Sequence, residues 1–353
     1  MTMISESLKI LASGEDLTEE ESYQSMLEII NCQSSSVKVG ALLTALSIKG
    51  ESVPEITGFV RAMRDSSLKV NSSKKPLVDT CGTGGDTLKT FNVSTAAAII
   101  ASSCGVTIAK HGNRSVTSKC GGADVLEALG VNINCNPREV ENCLDNAGMG
   151  FMFAPLYHPA MKNVSIIRTE LGIRTIFNIL GPLTSPADAD IQLLGVFDPE
   201  YVEPMAQVLQ NLGVKRAMVV HGYDSFDKPA LDEISIVGKT RVALLDKNRV
   251  EVLELYPEDF GIKNGKEKHI LAPDSICENS DIISGVLSGR LSTYKDESRL
   301  NLCMVNAAAI LFIARKVSCL EEGMEIAFES VQKGYAIHKL NELIRISNEK
   351  IEA

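Results

Sequence analysis

The sequence predicts an α/β fold, in which a small all-helical domain precedes a larger α/β domain with a mostly parallel central sheet flanked by helices. Two observations predict it. The first seventy residues carry helix-capping signals and amphipathic spacing, without a strand signal. From Pro76 onward, strands, polar or glycine-rich loops and helices alternate, as in successive βαβ units. We therefore expect a helical domain over 1–70 and an α/β domain over 71–353.

Three helices are expected in the first region. Thr18 and Glu21 form a capping box before ESYQSMLEII. Ser35 and Ser36 can cap VKVGALLTALSIKG, and Pro54 opens EITGFVRAMRDS. The polar run 71–75 is the expected linker to the second region.

The second region contains the expected sheet. Its predicted parallel strands are PLVDT, VTIAK, IQLLGVF and AMVVHG, and its helices are NVSTAAAIIASS, ADVLEALG and VEPMAQVLQNLG. The segments EISIVGKT, RVALLDK and VEVLELY alternate like antiparallel strands joined by turns. The C-terminal stretches NLCMVNAAAILFIARK, LEEGMEIAFESVQ and KLNELIRIS are predicted to be helical.

Composition excludes several classes of protein. With 44% hydrophobic and 23% charged residues, the chain is globular and not disordered. A net charge of −10 argues against a nucleic-acid partner, and no apolar stretch is long enough for a membrane span. Nine cysteines without a C-x-x-C pair indicate reduced thiols instead of disulfides or a zinc site, and no signal peptide is evident, so a cytoplasmic protein is expected.

The most informative stretch is the glycine loop 82–86 (GTGGD), which lies between a strand and a helix. Glycines let backbone amides converge on anionic oxygens, so the loop is a candidate diphosphate cradle. It matches neither G-x-G-x-x-G nor a P-loop, and by itself it is equally typical of a tight turn. The start of the next helix, 92–95, also favours anions, although simple capping by Asn92 or Ser94 explains it as well.

Three further groups of polar residues add to this site. The loop Lys110–Ser118 follows the neighbouring strand and offers cations and hydroxyl donors, where the alternative is a polar surface loop. Asp232 and Glu233 supply hard oxygen ligands suited to Mg²⁺, where the alternative is an exposed acidic pair. Arg168 could bind a carboxylate bidentately, although an isolated arginine is usually a surface charge.

Together and in this order, the stretches GTGGD, FNVST, KHGN, ADVLEALG, FMFAPLYHPAMKNV, LGIRTIFNILGPLT and LDEIS resemble the anthranilate phosphoribosyltransferase family of tryptophan biosynthesis. The resemblance covers nearly the whole chain. It implies phosphoribosyl diphosphate held with Mg²⁺ between the two domains, and transfer of the 5-phosphoribosyl group to anthranilate, the second step from chorismate. It also implies a homodimer formed mainly through the helical domain, which helices from about 160–185 would complete.

The resemblance carries roles to individual positions. Asn113 and Arg168 resemble the anthranilate contacts, and with Lys110 they are the expected catalytic residues. His111 and His158 would line the acceptor channel, and Ser94, Asp232 and Glu233 would hold the metal. The expected substrate-binding positions are Gly82, Gly85, Asp86, Thr90, Asn92, Val93, Ser94, Thr95, Lys110, His111, Gly112, Asn113, Arg114, Ser115, Val116, Thr117, Ser118, Gly122, His158 and Arg168.

The sequence departs from the family pattern at three places. Gly122 stands where Ser or Ala is common, which could remove a hydroxyl contact to the donor. Ser185 replaces the usual Asn of GPLTNP, a change expected to matter little. YDSFDKPALDEIS is longer than usual, so the loop that delivers Asp232 and Glu233 could differ in shape.

Two other functions stay open at this stage. A pyrimidine nucleoside phosphorylase would share the fold, but its K-x-S-G-R-G stretch is absent. A catalytically silent, nucleic-acid-binding relative is the second alternative, against which the acidic balance and the intact Asp232–Glu233 pair count.

Overall fold

The computed structural model describes residues 2–115, 120–263 and 265–349, without the side chain of Asn163. It has the two parts that the sequence predicts, a helical bundle followed by a larger α/β part. The α-helices are α1 (Met3–Ala12), α2 (Glu19–Ile30), α3 (Ser36–Lys49), α4 (Val53–Asp65), α5 (Val93–Ser103), α6 (Gly122–Ala128), α7 (Pro137–Ala147), α8 (Ala154–Tyr157), α9 (Lys162–Leu171), α10 (Phe177–Leu180), α11 (Val202–Asn211), α12 (Glu267–Ile270), α13 (Ile276–Leu287), α14 (Tyr294–Ile313), α15 (Leu320–Gln332) and α16 (Tyr335–Ser347). The strands are β1 (Val78–Gly82), β2 (Ile108–Gly112), β3 (Met149–Phe153), β4 (Ile191–Gly195), β5 (Arg216–Tyr223), β6 (Pro229–Leu231), β7 (Thr240–Asp246) and β8 (Arg249–Leu255).

The N-terminal part contains four helices, α1 to α4, where three were predicted. The capping box before α2 is confirmed: Thr18 Oγ1 accepts from Glu21 N at 3.2 Å, and Glu21 Oε2 accepts from Thr18 N at 2.8 Å. Helix α1 was not predicted, and its N-cap residue, Thr2, makes no side-chain capping bond. Since no local signal marks this start, packing on the other helices decides it.

The sheet has the order β3-β2-β1-β4-β5-β7-β8, and the short β6 pairs with β5. Strands β1 to β5 are parallel, and β6, β7 and β8 extend the sheet in antiparallel fashion. The chain leaves β1 toward β2 and β3 on one side and returns to β4 on the other. In such sheets, ligands bind where the strand order reverses, outside the carboxyl ends of the strands.

One predicted strand is wrong. The segment EISIVGKT does not join the sheet before Thr240, and it contains bends at 233 and 236–238. Side chains satisfy its backbone instead: Ile234 N donates to Asn306 Oδ1 at 3.1 Å, and Ser235 N donates to Thr240 Oγ1 at 2.9 Å. Its alternating sequence is misleading because Ser235, Ile234 and Ile236 are all buried. Strand β3 and helix α7 were not predicted, although Asn136 and Glu139 form a capping box at the start of α7.

The two faces of the sheet are covered by different helices. On one face, β-sheet residues such as Leu193 and Val220 pack in a core with α5, α6 and α13 to α16. On the other face, Leu194 and Val219 share a core with α11 and the helical bundle. Helix α9 also packs against α2 and α3. The bundle is thus joined to the sheet by a continuous apolar core.

Two further features concern membrane spans and disulfide bonds. Within the described ranges, no helix is both long and apolar enough to cross a membrane. All nine cysteines lie in these ranges and none forms a disulfide, as the sequence predicts.

We predict that Asn306→Ala lowers the free energy of unfolding by about 2–4 kcal/mol, because it removes the partners of both backbone groups of buried Ile234. Urea denaturation measures the change. Asn146→Ala is the control: its exposed side chain bonds only the Asn142 side chain, so the loss should stay within about 0.5 kcal/mol. Equal losses in the two variants would contradict the assignment.

Candidate active site

The site is built around three glycines at the carboxyl edge of the sheet. Gly82 ends β1, Gly195 ends β4, and Gly222 lies near the end of β5. A Cβ on Gly82 would collide with the Asp232 carboxylate, and one on Gly195 would collide with the Asp232 carbonyl oxygen. A Cβ on Gly222 would lie 2.5 Å from the Glu233 carbonyl oxygen. The glycines therefore let the segment Asp232–Glu233 cross the ends of three strands.

The glycine loop 82–86 is held from several sides. Gly84 (φ +65°) and Gly85 (φ +81°) adopt backbone conformations that side chains rarely allow. Gly84 N donates to Asp232 Oδ2 at 2.7 Å, and Thr83 N donates to the Gly195 carbonyl at 2.9 Å. These bonds fix the loop in a cradle-like shape.

Helix α5 directs its N-terminus at this edge. Asn92 is the N-cap residue, yet its side chain makes no capping bond, so the simple capping explanation fails for it. Ser94 N donates to Glu233 Oε1 at 3.2 Å. Asn92 Oδ1 and Thr95 Oγ1 are buried, and neither has a hydrogen-bond partner among the residues that the structure describes. Buried polar atoms are normally paired, and these two therefore suit a polar ligand at the helix start.

Three carboxylates gather beside the loop. Burial, and next the charge of Asp232, raises the pKa of Asp86 to about 8. Burial raises the pKa of Asp232, and burial together with Asp232 raises the pKa of Glu233 well above its usual range. Protein cations thus compensate this negative charge incompletely. Within the described ranges, no three His, Cys, Asp or Glu residues form a complete metal site, but the oxygen donors fit Mg²⁺ that also binds ligand oxygens and water.

Lys110 reaches the same place from β2. Its Nζ is buried and donates to the Thr80 carbonyl at 2.6 Å and to Ser94 Oγ at 3.4 Å. The neighbouring residue His111 donates its backbone N–H to Asp79 Oδ1 at 3.2 Å. Burial raises the pKa of Asp79 to about 6, against the opposing effect of Lys110. A buried cation thus stands beside the helix start, where it can meet phosphate oxygens.

Arg168 and two histidines lie toward the helical bundle. Arg168 is half-buried on α9, and its Cζ lies 5.5 Å from the Phe177 ring centroid. It has no carboxylate partner among the described residues, and burial lowers its pKa. The ring centroids of His111 and His158 lie 5.3 Å apart, and His158 Nε2 lies 3.0 Å from the Thr184 carbonyl oxygen.

Both histidines are neutral. Burial, and next His158, lowers the pKa of His111 to about 3, and burial lowers the pKa of His158 to about 4. The pair therefore adds no positive charge here, and the cations that act on His111 are Lys110 and Arg64. Arg168, on α9, is a further guanidinium suited to a carboxylate.

Some residues that were predicted to bind the phosphoribosyl donor bond to other parts of the protein. Arg114 pairs with Asp124 and Glu127, both at 2.8 Å, and its exposed side chain makes no contact with the glycine loop in this arrangement. Ser115 N donates to Asp124 Oδ2 at 3.0 Å, and Thr90 forms an isolated bridge with Leu271. Val116, Thr117 and Ser118 lie outside the described residues. Val93 is buried in α5. Gly112 ends β2, and Asn113, which follows it, is exposed to solvent.

Gly122 opens α6 beside Thr95 and Lys110. A Cβ there would lie 3.7 Å from Thr95 Oγ1 and 3.9 Å from Lys110 Cε, which are ordinary contacts. The site therefore has room for the Ser or Ala common in the family.

Sequence reasoning missed several contributors. Gly195 and Gly222 were given no role, and neither was Arg174, although it lies in the quoted stretch LGIRTIFNILGPLT. Asn279, whose Oδ1 accepts from Asn92 N at 3.3 Å, was missed altogether. A glycine within the predicted strand IQLLGVF and one at the end of AMVVHG were visible signals for the first two. No local pattern gives Arg174 or Asn279 its role, because each contacts a residue distant in the sequence.

Comparisons with known proteins agree with this geometry. Residues 74–337 match the glycosyl transferase family α/β domain, and residues 5–67 match the helical bundle domain of the same family. Anthranilate phosphoribosyltransferase of Methanothermobacter thermautotrophicus is 49% identical over 330 residues, covering 93% of this chain and 94% of the relative.

Solved structures show the same likeness. A crystal structure of anthranilate phosphoribosyltransferase from Thermus thermophilus superposes with a TM-score of 0.90 at 37% identity, covering 99% of this chain and 100% of that one. The Saccharomyces cerevisiae enzyme in complex with PRPP and Mg gives 0.87 at 29% identity, covering 98% of each chain. On its sequence and its architecture alike, the chain belongs to the anthranilate phosphoribosyltransferase family.

Proposed function

We propose that this chain transfers the 5-phosphoribosyl group of phosphoribosyl diphosphate to the amine of anthranilate, giving N-(5-phosphoribosyl)anthranilate and diphosphate. This is the second step from chorismate to tryptophan. The carrying observation is the glycine loop fixed by Asp232 at the point where the strand order reverses, in a chain that is 49% identical to a named member of the family.

The donor diphosphate belongs at the glycine loop and the start of α5. The α5 N-terminus and Lys110 supply hydrogen-bond donors and positive charge. Loop amides other than those of Thr83 and Gly84, which already donate to Gly195 and Asp232, can add to them. The unpartnered oxygens of Asn92 and Thr95 support a polar ligand there. Gly82, Gly85 and Asp86 are proposed to contact the donor because they belong to this loop.

Magnesium is the proposed cofactor, and Ser94, Asp232 and Glu233 are its proposed ligands, directly or through water and diphosphate. Burial raises the pKa of all three carboxylates, and a divalent cation would stabilise their charged forms. The yeast relative was solved with PRPP and Mg, which supports the same use here. When bound, the ion would neutralise diphosphate oxygens as negative charge grows on them.

Anthranilate belongs beside Arg168. The carboxylate of anthranilate can accept hydrogen bonds from two guanidinium N–H groups. The neutral His111 and His158 can border the anthranilate ring, since they carry no charge that would compete with Arg168 for the carboxylate. Asn113 is proposed to orient the acceptor from the end of β2. The resulting position brings the amine toward the donor between the bundle and the sheet.

Catalysis rests on stabilising the leaving group. As the C1–O bond breaks, positive charge develops on the ribose and negative charge on the diphosphate, so donors aimed at the diphosphate lower the barrier. Lys110 and the start of α5 are proposed to supply those donors. The amine lone pair then forms the C1–N bond, and the amine proton leaves to water or diphosphate. The acceptor amine is already neutral, and no strong general base is required.

The two alternative functions receive no support from the relatives described above. Their names indicate the phosphoribosyl transfer, and neither phosphorolysis nor nucleic-acid binding. Thymidine plus phosphate should yield no free base with this enzyme.

The helical part, residues 1–70 completed by helices from about 160–185, is proposed to form a homodimer. Val37 and Ile48 are 80% and 82% exposed, and their spacing of eleven residues puts them on one stripe of α3. Ile166 on the adjoining α9 is 65% exposed. Such an apolar surface is typical of an interface between copies of a chain. The proposed setting of the enzyme is the cytoplasm.

Arg168→Ala should raise the KM for anthranilate roughly tenfold to a hundredfold, with a smaller change in kcat, because a charged hydrogen-bonded pair contributes about 1.5–3 kcal/mol. Loss of anthranilate fluorescence measures the rate. Lys162→Ala, an exposed change on the same helix, is the control. An unaltered KM in Arg168→Ala would remove this residue from the acceptor site.

Asp232→Asn should increase the Mg²⁺ concentration needed for half-maximal rate by about tenfold or more, since the variant keeps an acceptor for Gly84 N and loses the charge. A Mg²⁺ titration at saturating substrates measures it. Asp224→Asn is the matched control, because Asp224 Oδ1 likewise accepts backbone N–H groups, from Phe226 and Lys228. The same half-saturation in both variants would argue against Asp232 as a ligand.

Ile48→Glu should convert the dimer to a single chain of 38.1 kDa, because it places a charge on the proposed apolar interface. Sedimentation equilibrium measures the mass. Phe226→Ser, which alters a 77% exposed residue away from the bundle, should stay dimeric. A monomeric wild type, or a dimer unaffected by Ile48→Glu, would refute the interface.

A further inference from the structure

Arg174 contacts the glycine loop from outside the proposed ligand residues. It lies between α9 and α10, and its side chain is exposed. Its Nη2 donates to the Gly85 carbonyl oxygen at 3.2 Å, and its Cζ lies 4.3 Å from the Phe197 ring centroid. The planar guanidinium is thus held by a ring on one side and a backbone acceptor on the other.

This contact fixes a part of the loop that other residues leave open. Asp232 holds Gly82 and Gly84, and β4 holds Thr83. The peptide between Gly85 and Asp86 is held by Arg174. In a planar trans peptide the carbonyl and the next N–H point in opposite directions, so fixing the Gly85 oxygen also fixes the direction of the Asp86 amide.

Gly85 is required for its backbone conformation. Its φ of +81° is one that side chains rarely allow. A Cβ there would lie 3.4 Å from Arg174 Nη2, at the limit of ordinary contact, so the guanidinium lies directly beside this glycine.

The same arginine is tied to the helical bundle. Ser47 Oγ, on α3, donates to the Arg174 carbonyl oxygen at 2.9 Å. Phe197, which stacks on the guanidinium, donates its backbone N–H to Thr83 Oγ1 at 2.9 Å. A continuous chain of contacts therefore runs from α3 through Arg174 to the glycine loop.

We propose that Arg174 is a positioning residue for the phosphoribosyl diphosphate donor. It orients the Gly85–Asp86 peptide, adds positive charge beside the diphosphate cradle, and couples the shape of the cradle to the helical bundle. This inference rests on the proposed function, because it assigns the glycine loop to the donor. A purely structural role would affect stability and leave donor binding unchanged.

The test compares Arg174→Ala, Arg174→Lys and Arg61→Ala. Arg61 is the matched control, since its guanidinium stacks on Tyr23 at 5.3 Å and pairs with Glu19 on the bundle surface, without touching the loop. Two donor constants are measured at saturating Mg²⁺: the KM for phosphoribosyl diphosphate, and the dissociation constant of inorganic pyrophosphate by calorimetry. The KM for anthranilate is measured as the third constant.

Arg174→Ala should raise both constants roughly threefold to tenfold, as expected for a charged hydrogen bond that is partly exposed to solvent. The KM for anthranilate should change less than about twofold. Arg174→Lys should recover part of the loss, because an ammonium can still donate to the Gly85 carbonyl. Arg61→Ala should match the wild type in all three constants.

Ser47→Ala tests the coupling separately, because it leaves the guanidinium intact. It should raise the donor KM by a smaller factor than Arg174→Ala, and an unchanged KM would overturn the link to the bundle. The positioning role is overturned if Arg174→Ala keeps both donor constants within about twofold of wild type.

A wild-type chain without phosphoribosyl transfer would refute the proposed function instead. The pyrophosphate titration would still decide on Arg174, because it requires no turnover.

Discussion

The structure depends on one close approach: the segment Asp232–Glu233 lies directly against the ends of three strands, at Gly82, Gly195 and Gly222. Any side chain at these glycines would push the segment off the sheet. The same segment holds the glycine loop through the Asp232 carboxylate and the start of α5 through the Glu233 carboxylate. Packing at the sheet edge and the shape of the candidate site are therefore one constraint.

Electrostatics at this edge oppose the fold. Asp86, Asp232 and Glu233 are brought together in a buried place, and burial raises their pKa values. Lys89 opposes this rise for Asp86, and Lys110 opposes it for Glu233, only in part. Such an arrangement costs stability in the protein alone. It suits a site in which a divalent cation and an anionic substrate bind together, since the cation can offset the negative charge of both the carboxylates and the substrate.

The helical bundle is joined to the candidate site in two ways. It shares an apolar core with one face of the sheet through α11, and it reaches the glycine loop through Ser47 and Arg174. Arg168 lies on α9, the helix that packs against α2 and α3. A movement of the bundle relative to the sheet would therefore shift both Arg168 and the contacts of the glycine loop.

The sequence by itself determined what depends on near neighbours: the alternation of strands and helices, the capping box at Thr18, and the glycine loop after β1. These follow from local backbone preferences and periodicity. Tertiary structure decided the rest. The buried residues 234–237 look like a strand but bond to side chains such as Asn306, and the Arg114 side chain turns to acidic residues of α6. The bond from Gly84 to Asp232 joins residues 148 positions apart, and only packing of the whole chain brings such groups within reach.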